Sequence, residues 1–168
     1  MNITIRDERN EDVEAIEKLT KAAFENAEHT SHTEHFIVNS LRNYGQLTIS
    51  LVAIEDSAVI GHVAISPVQI SSGEMGWYGL GPISVHPNKQ GLGIGSLLMN
   101  KSLDKLKKLG AKGCVLLGDP NYYSRFGFKT DPELILPDVP SEYFQVLSFS
   151  GNIPKGNVHY HEAFNATQ

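Results

Sequence analysis

The stretch SVHPNKQGLGIGSLL, residues 84–98, most constrains how this chain folds. The apolar run WYGLGPISVH before it has the character of a strand. In the segment after it, SLLMNKSLDKLKKLG, Leu98, Met99, Leu103, Leu106 and Leu109 share one helical face, while Asn100, Lys101, Asp104, Lys107 and Lys108 share the other. Gly110 closes that helix. A short apolar run, KGCVLLG, then predicts a buried strand. Strand 76–86, helix 93–109 and strand 112–118 therefore form a βαβ unit, and its right-handed crossover makes the two strands parallel.

Around this unit the pattern is different. ITIRD alternates as a half-buried strand, and NEDVEAIEKLTKAAF predicts a helix with Asn10 as N-cap. A polar loop, ENAEHTSH, leads to a second helix, EHFIVNSLRNY, stopped by Gly45. LTISLVAIE and AVIGHVAISPVQI, joined by EDSA, predict an antiparallel hairpin that the strand before the glycines extends into a meander. DPNYYSRFGF predicts a short helix with Asp119 as N-cap and Pro120 at its first position. Two strand-like runs follow, YFQVLSF and NVHYHEAF. The order βααβββαβαββ describes an α+β fold: a mixed central sheet, an antiparallel N-terminal meander and one parallel crossover, flanked by helices. A single domain over residues 1–168 is expected.

Composition removes several function classes. A net charge of −5 argues against a nucleic-acid partner, and the lysines on the helix after the glycines suit a solvated face. One cysteine, Cys114, excludes an internal disulfide, and its apolar strand makes it a small core residue. The N-terminal MNITIRDERNED has no long apolar segment, so neither a signal peptide nor a membrane anchor is expected, and the cytoplasm is the expected location.

Gly91, Gly93 and Gly95 stand where a loop becomes a helix N-terminus. The first N–H groups of a helix lack intrahelical partners and sit at the positive end of its dipole. Removing side chains there lets an anion approach them closely, as a phosphate would; a plain tight loop with close helix–sheet packing is the competing explanation. No Lys-Ser/Thr pair carries the glycines of a P-loop, and GLGIGS lacks the third glycine of the dinucleotide fingerprint. Pro82 has no N–H for a sheet ladder, so a bulge or break is expected near Gly81–Pro82.

What does match is Q-x-x-G-x-G at Gln90, Gly93 and Gly95, between a strand and an amphipathic helix in the order given above. This resembles the acetyl-CoA motif of the GNAT superfamily of N-acetyltransferases, over nearly the whole chain. The resemblance implies that Gln90, Gly91, Leu92, Gly93, Ile94, Gly95 and Ser96 hold the coenzyme's pyrophosphate. It also implies that the strand before the loop diverges from its parallel neighbour. Ile83, Ser84 and Val85 would then offer backbone groups to the amide-bearing pantetheine arm, and one strand amide would serve as oxyanion donor. NYYSRFGF resembles the family's second signature, which sets Tyr123 beside the coenzyme sulfur as general acid. The family's longer helix with an Asn ahead of that Tyr is missing, and Asn121 is the candidate substitute.

No motif marks a general base; His62, His86 and Glu34 are candidates, each with a structural role as the competing account. His29, His32 and His35 have a spacing that invites a metal, but a solvated loop and helix start explain them, and no metal is expected. His159 and His161 receive no role. The acceptor pocket is expected from the early helices, the loop 26–35 and the C-terminal strands. The reading is thus an acetyl-CoA-dependent N-acetyltransferase acting by direct transfer on a primary amine of a small molecule or peptide, with a homodimer as the default assembly. A non-catalytic acyl-CoA sensor on the same fold is the alternative, and a coenzyme-free interaction domain a third.

Overall fold

The computed structural model describes residues 2–28 and 30–168. In chain order its strands are β1 (Thr4–Asp7), β2 (Ile49–Glu55), β3 (Ala58–Ile70), β4 (Trp77–Val85), β5 (Gly113–Leu117), β6 (Leu134–Ile135), β7 (Phe144–Ser148) and β8 (Gly156–Tyr160). Its helices are α1 (Val13–Phe24), α2 (Glu34–Asn43), α3 (Ile94–Lys108) and α4 (Pro120–Tyr123). The main sheet runs β1-β2-β3-β4-β5-β7, with β8 pairing the far end of β3. β1 to β4 are antiparallel neighbours, β4 and β5 are parallel, and β5 and β7 are antiparallel. The mixed sheet with one parallel crossover is therefore the expected α+β architecture.

Two local expectations are corrected. Asn10 does not cap α1; the chain enters through a 3-10 turn, Asn10–Asp12. Buried Asp12 organises that turn by accepting from the Arg9 N–H at 2.7 Å and pairing with Arg6 at 2.7 Å. The second correction is β6, a strand of two residues parallel to β8. Its brevity between Pro132 and Pro137 left no periodicity to detect.

The two faces of the sheet differ. On one, α3 lays Ile94, Leu98, Met99 and Leu106 against Leu51, Val63 and Ile65, all buried. On the other, α1 and α2 pack Ile16 and Val38 on Val52. That second face also buries polar side chains, because alternate residues of β3 point there. His62 is fully buried; its Nε2 lies 2.8 Å from Ser50 Oγ, which donates to Glu8. Glu8 in turn accepts two bonds from Arg42, at 2.8 and 2.9 Å. Burial alone would raise the Glu8 pKa, but the bonds from Arg42 and Ser50 outweigh it and hold it below the usual range. Burial depresses His62 to about 4, so the imidazole is neutral at pH 7.

Between the ordinary His value near ~6.5 and the native value of about 4, the unfolded chain binds the proton that the folded chain refuses. Stability contributed by His62 is therefore full above pH ~6.5 and falls by up to about 3 kcal/mol as the pH drops towards 4. Chaotrope unfolding between pH 4.5 and 7 should give this slope, and His62→Asn should flatten it. An identical slope in the variant would mean that other groups carry the pH dependence.

Candidate active site

The parallel ladder between β4 and β5 is short. It holds Trp77, Tyr78 and Gly79 opposite Gly113, Cys114 and Val115, and goes no further. Across β3, Val63 pairs with Ile83 but Ile65 pairs with Leu80, so β4 carries one extra residue at Gly81–Pro82. That is the bulge expected from Pro82, and the Gly81–Pro82 peptide is cis. Beyond it Ile83, Ser84 and Val85 remain paired to β3 but have no partner in β5. A wedge opens between two neighbouring strands, with backbone groups along one side.

At one end of the wedge lies the glycine loop. Gly91 and Gly93 have φ of +79° and +85°, the left-handed region that glycine enters without strain. Gly93 stands as N-cap of α3, so no side chain caps the helix and no acid occupies its first turn. The first N–H groups of α3 are therefore free to meet an anion. Around them is a cavity of about 320 Å³ whose lining includes Val85, Gln90, Gly95, Ser96, Tyr122 and Arg125. A Cβ added at Gly95 would stand 3.3 Å from the Tyr122 hydroxyl, so that hydroxyl roofs the loop. Arg125 lies over the Tyr122 ring, 4.4 Å from its centroid, and supplies a cation beside the loop. These residues fit the pyrophosphate of a coenzyme.

At the other end is a larger cavity of about 740 Å³. Leu80 to Ile83, Leu117 and Tyr123 form its inner wall; α1 and α2 contribute Phe24, Glu34 and Ile37, and β8 contributes Val158 to Tyr160. Tyr123 is carried by α4, which Asp119 caps by accepting from the Asn121 N–H at 2.9 Å, with Pro120 in the first turn. A Cβ at Gly118 would run into the Tyr123 ring, so that ring needs the glycine in order to pack against the chain just after β5. Burial first, then Tyr122 and Asp119, pushes the Tyr123 phenol up to about 12. It is a neutral donor throughout the physiological range. Tyr160 is held protonated in the same way, its ring lying over Gly79.

An acetyltransferase (GNAT) domain model matches residues 4–130. Over 162 residues the chain is 38% identical to a protein of Escherichia coli K12 called the uncharacterized N-acetyltransferase YhbS, covering 92% of this chain and 93% of that one. The chain belongs to the GNAT acetyltransferases. A GNAT family acetyltransferase from Brucella melitensis, solved in complex with acetyl-CoA, has the same fold at a TM-score of 0.87 and 48% identity, covering 97% of this chain and 98% of that one. YhbS from Escherichia coli, solved in complex with CoA, gives a TM-score of 0.88 at 36% identity, covering 100% and 94%.

Within this GNAT chain the loop residues fall into three groups. Gly91, Gly93, Ile94, Gly95 and Ser96 line the smaller cavity. Gln90 lines it too, but its side-chain amide donates to the Val85 carbonyl at 3.2 Å, tying the loop to the end of β4. Leu92 is exposed and lines neither cavity, and the same is true of Asn121. On β4, Val85 faces the smaller cavity and Ile83 the larger, while the Ser84 side chain is buried with no hydrogen-bond partner for its hydroxyl among the described residues. Tyr122 and Arg125 were not assigned to the site from sequence. Arg125 stands three residues after Tyr122, the helical spacing that brings the two together.

The three candidate bases separate. His62 is interior, and His86 Nδ1 accepts from the Asn88 N–H at 3.1 Å to cap the turn after β4. Glu34 alone lines the larger cavity. His29 lies outside the described residues, and among those described no three metal-ligating side chains come together. Cys114 is buried, and burial pushes its thiol up. No described helix is long and apolar enough to cross a membrane.

A side chain at position 93 must adopt a left-handed backbone at a cost of about 1–2 kcal/mol, and although its Cβ meets open space, a larger side chain would occupy the smaller cavity. Gly93→Val should therefore weaken acetyl-CoA binding by roughly tenfold or more, read by calorimetry. Gly118→Ala should displace the Tyr123 ring and lower turnover more than coenzyme affinity.

Proposed function

We propose that this chain transfers the acetyl group of acetyl-CoA directly to a primary amine, with the pyrophosphate at the N-terminus of α3, the pantetheine arm along Ile83 to Val85, and the amine in the larger cavity. The observation that carries this reading is the position of Ile83 and Val85, two residues apart on one strand, each facing a different cavity. An extended arm lying along that strand would lead from the phosphate-binding loop to Tyr123. Acetyl-CoA supplies an activated acyl carbon and a sulfur leaving group. The amine nitrogen forms the new C–N bond as the C–S bond breaks, sulfur departs with the electron pair, and the amine's surplus proton leaves to solvent.

Two proton costs set the pH behaviour. A lysine-like amine near ~10.4 must first become neutral, which costs about 5 kcal/mol at pH 7. At the other end, a thiol near ~8.5 lies about 3.5 units below Tyr123 at about 12. Full proton transfer from the phenol is thus steeper than unperturbed tyrosine chemistry would be. Tyr123 acts by donating a hydrogen bond to the departing sulfur, which leaves as the thiolate and takes a proton from solvent as the product thiol forms. Glu34 attracts and orients the ammonium.

Removing that hydrogen bond should matter for turnover alone. Tyr123→Phe is expected to lower kcat roughly tenfold while leaving the acetyl-CoA dissociation constant within about twofold, followed by free-thiol release and calorimetry. Unchanged kcat would remove Tyr123 from the mechanism. With Tyr123 protonated up to about 12, activity should rise with pH towards the amine's own pKa and show no falling limb below pH ~10.

A further inference from the structure

The larger cavity carries a charge pattern that narrows the acceptor. Among the described residues lining it, Glu34 and Asp138 are acidic and none is lysine or arginine. They come from separate elements, Glu34 from the first turn of α2 and Asp138 from the loop after β6. Neither forms an ion pair with a described cation, although other carboxylates of the chain do, such as Asp12 with Arg6 and Glu55 with Lys89. One Glu34 oxygen accepts from Thr30, and the other, Oε1, is buried with no described partner. Asp138 is exposed at the mouth. Most of the remaining wall is apolar: Phe24, Ile37, Leu80, Leu136 and Val158.

A carboxylate oxygen withdrawn from water without a partner is costly unless a cation meets it. We infer that the acceptor is a diamine-type molecule: a primary amine on an apolar chain whose far end carries a second positive charge and no carboxylate. This rests on the amine-transfer reading above. Glu34 receives the reacting ammonium inside the cavity, the apolar wall covers the chain, and Asp138 meets the distal cation at the mouth. An anionic tail would face two carboxylates and no lysine or arginine, with His159 and His161 as the lining's other titratable side chains besides Tyr123 and Tyr160. Because Asp138 is exposed, its pairing is worth little, so the second charge is expected to add specificity of only a few-fold.

Three amines of equal length separate the possibilities: 1,5-diaminopentane, pentylamine and 5-aminopentanoate, each assayed for kcat/KM with saturating acetyl-CoA. The expected order is diamine above monoamine by roughly fivefold, with the amino acid at least about tenfold below the monoamine. Asp138→Asn is the informative variant, because Asn tolerates the left-handed backbone of this residue (φ +69°). It should bring the diamine-to-monoamine ratio close to one. Glu34→Gln should raise KM for both amines together. If the amines are acetylated but 5-aminopentanoate matches or exceeds them, or the ratio is unchanged in Asp138→Asn, this inference is wrong while amine transfer stands. If acetyl-CoA binds and no amine of the three is acetylated, the amine-transfer reading fails and takes the inference with it.

Discussion

Three residue pairs hold β4 to β5, and the site depends on the ladder stopping there. A parallel ladder continued through Ile83 to Val85 would consume the backbone groups that the wedge leaves open. The interruption has a local cause. Pro82 has no N–H to give, and β4 carries one residue more than β3 across the segment from Leu80 to Ile83. The bulge re-aims the strand while its pairing with β3 keeps it in the sheet, as bulges beside functional sites commonly do.

Around the wedge the chain places small residues where large rings must come close. Gly118 accepts the Tyr123 ring, Gly79 lies under Tyr160, and Gly113 under Trp77. The rings of Tyr123 and Tyr160 both reach the larger cavity, and their phenols are kept protonated by burial. The glycine-loop end is built on the opposite principle. There, polar groups are left uncapped, and Gln90 works at one remove by pinning the loop to Val85. Charged residues divide the same way: Arg125 and the Glu55-paired Lys89 line the smaller cavity, whereas Glu34 and Asp138 line the larger.

Much of this was legible in the sequence, for reasons that are local. The glycine loop, the amphipathic α3 and the Asp119–Pro120 start of α4 are short-range patterns whose physics acts within a few residues. So is the bulge, since proline carries its restriction with it. Asn10 was misassigned because a buried Asp12, paired with Arg6 of the preceding strand, competes for the same turn. The cap of α4 engages the Asn121 N–H and leaves its side chain exposed, an arrangement the sequence does not reveal. The place of Arg125 beside the glycine loop and the polar interior around His62 depend on segments distant in sequence, the latter on Ser50 and Glu8.

By itself, then, the sequence determined the element order, the glycine loop at the start of α3 and the place where β4 would break. Each follows from backbone preferences and helix-end chemistry that neighbouring residues settle among themselves. Only the tertiary structure decided which candidate base faces a cavity, that burial keeps the Tyr123 phenol protonated up to about 12, and that the larger cavity is lined by Glu34 and Asp138. Those properties arise where α1, α2, β8 and the loop after β6 meet. Burial and unpaired charge are set by what packs around a residue, whatever stands beside it in the chain.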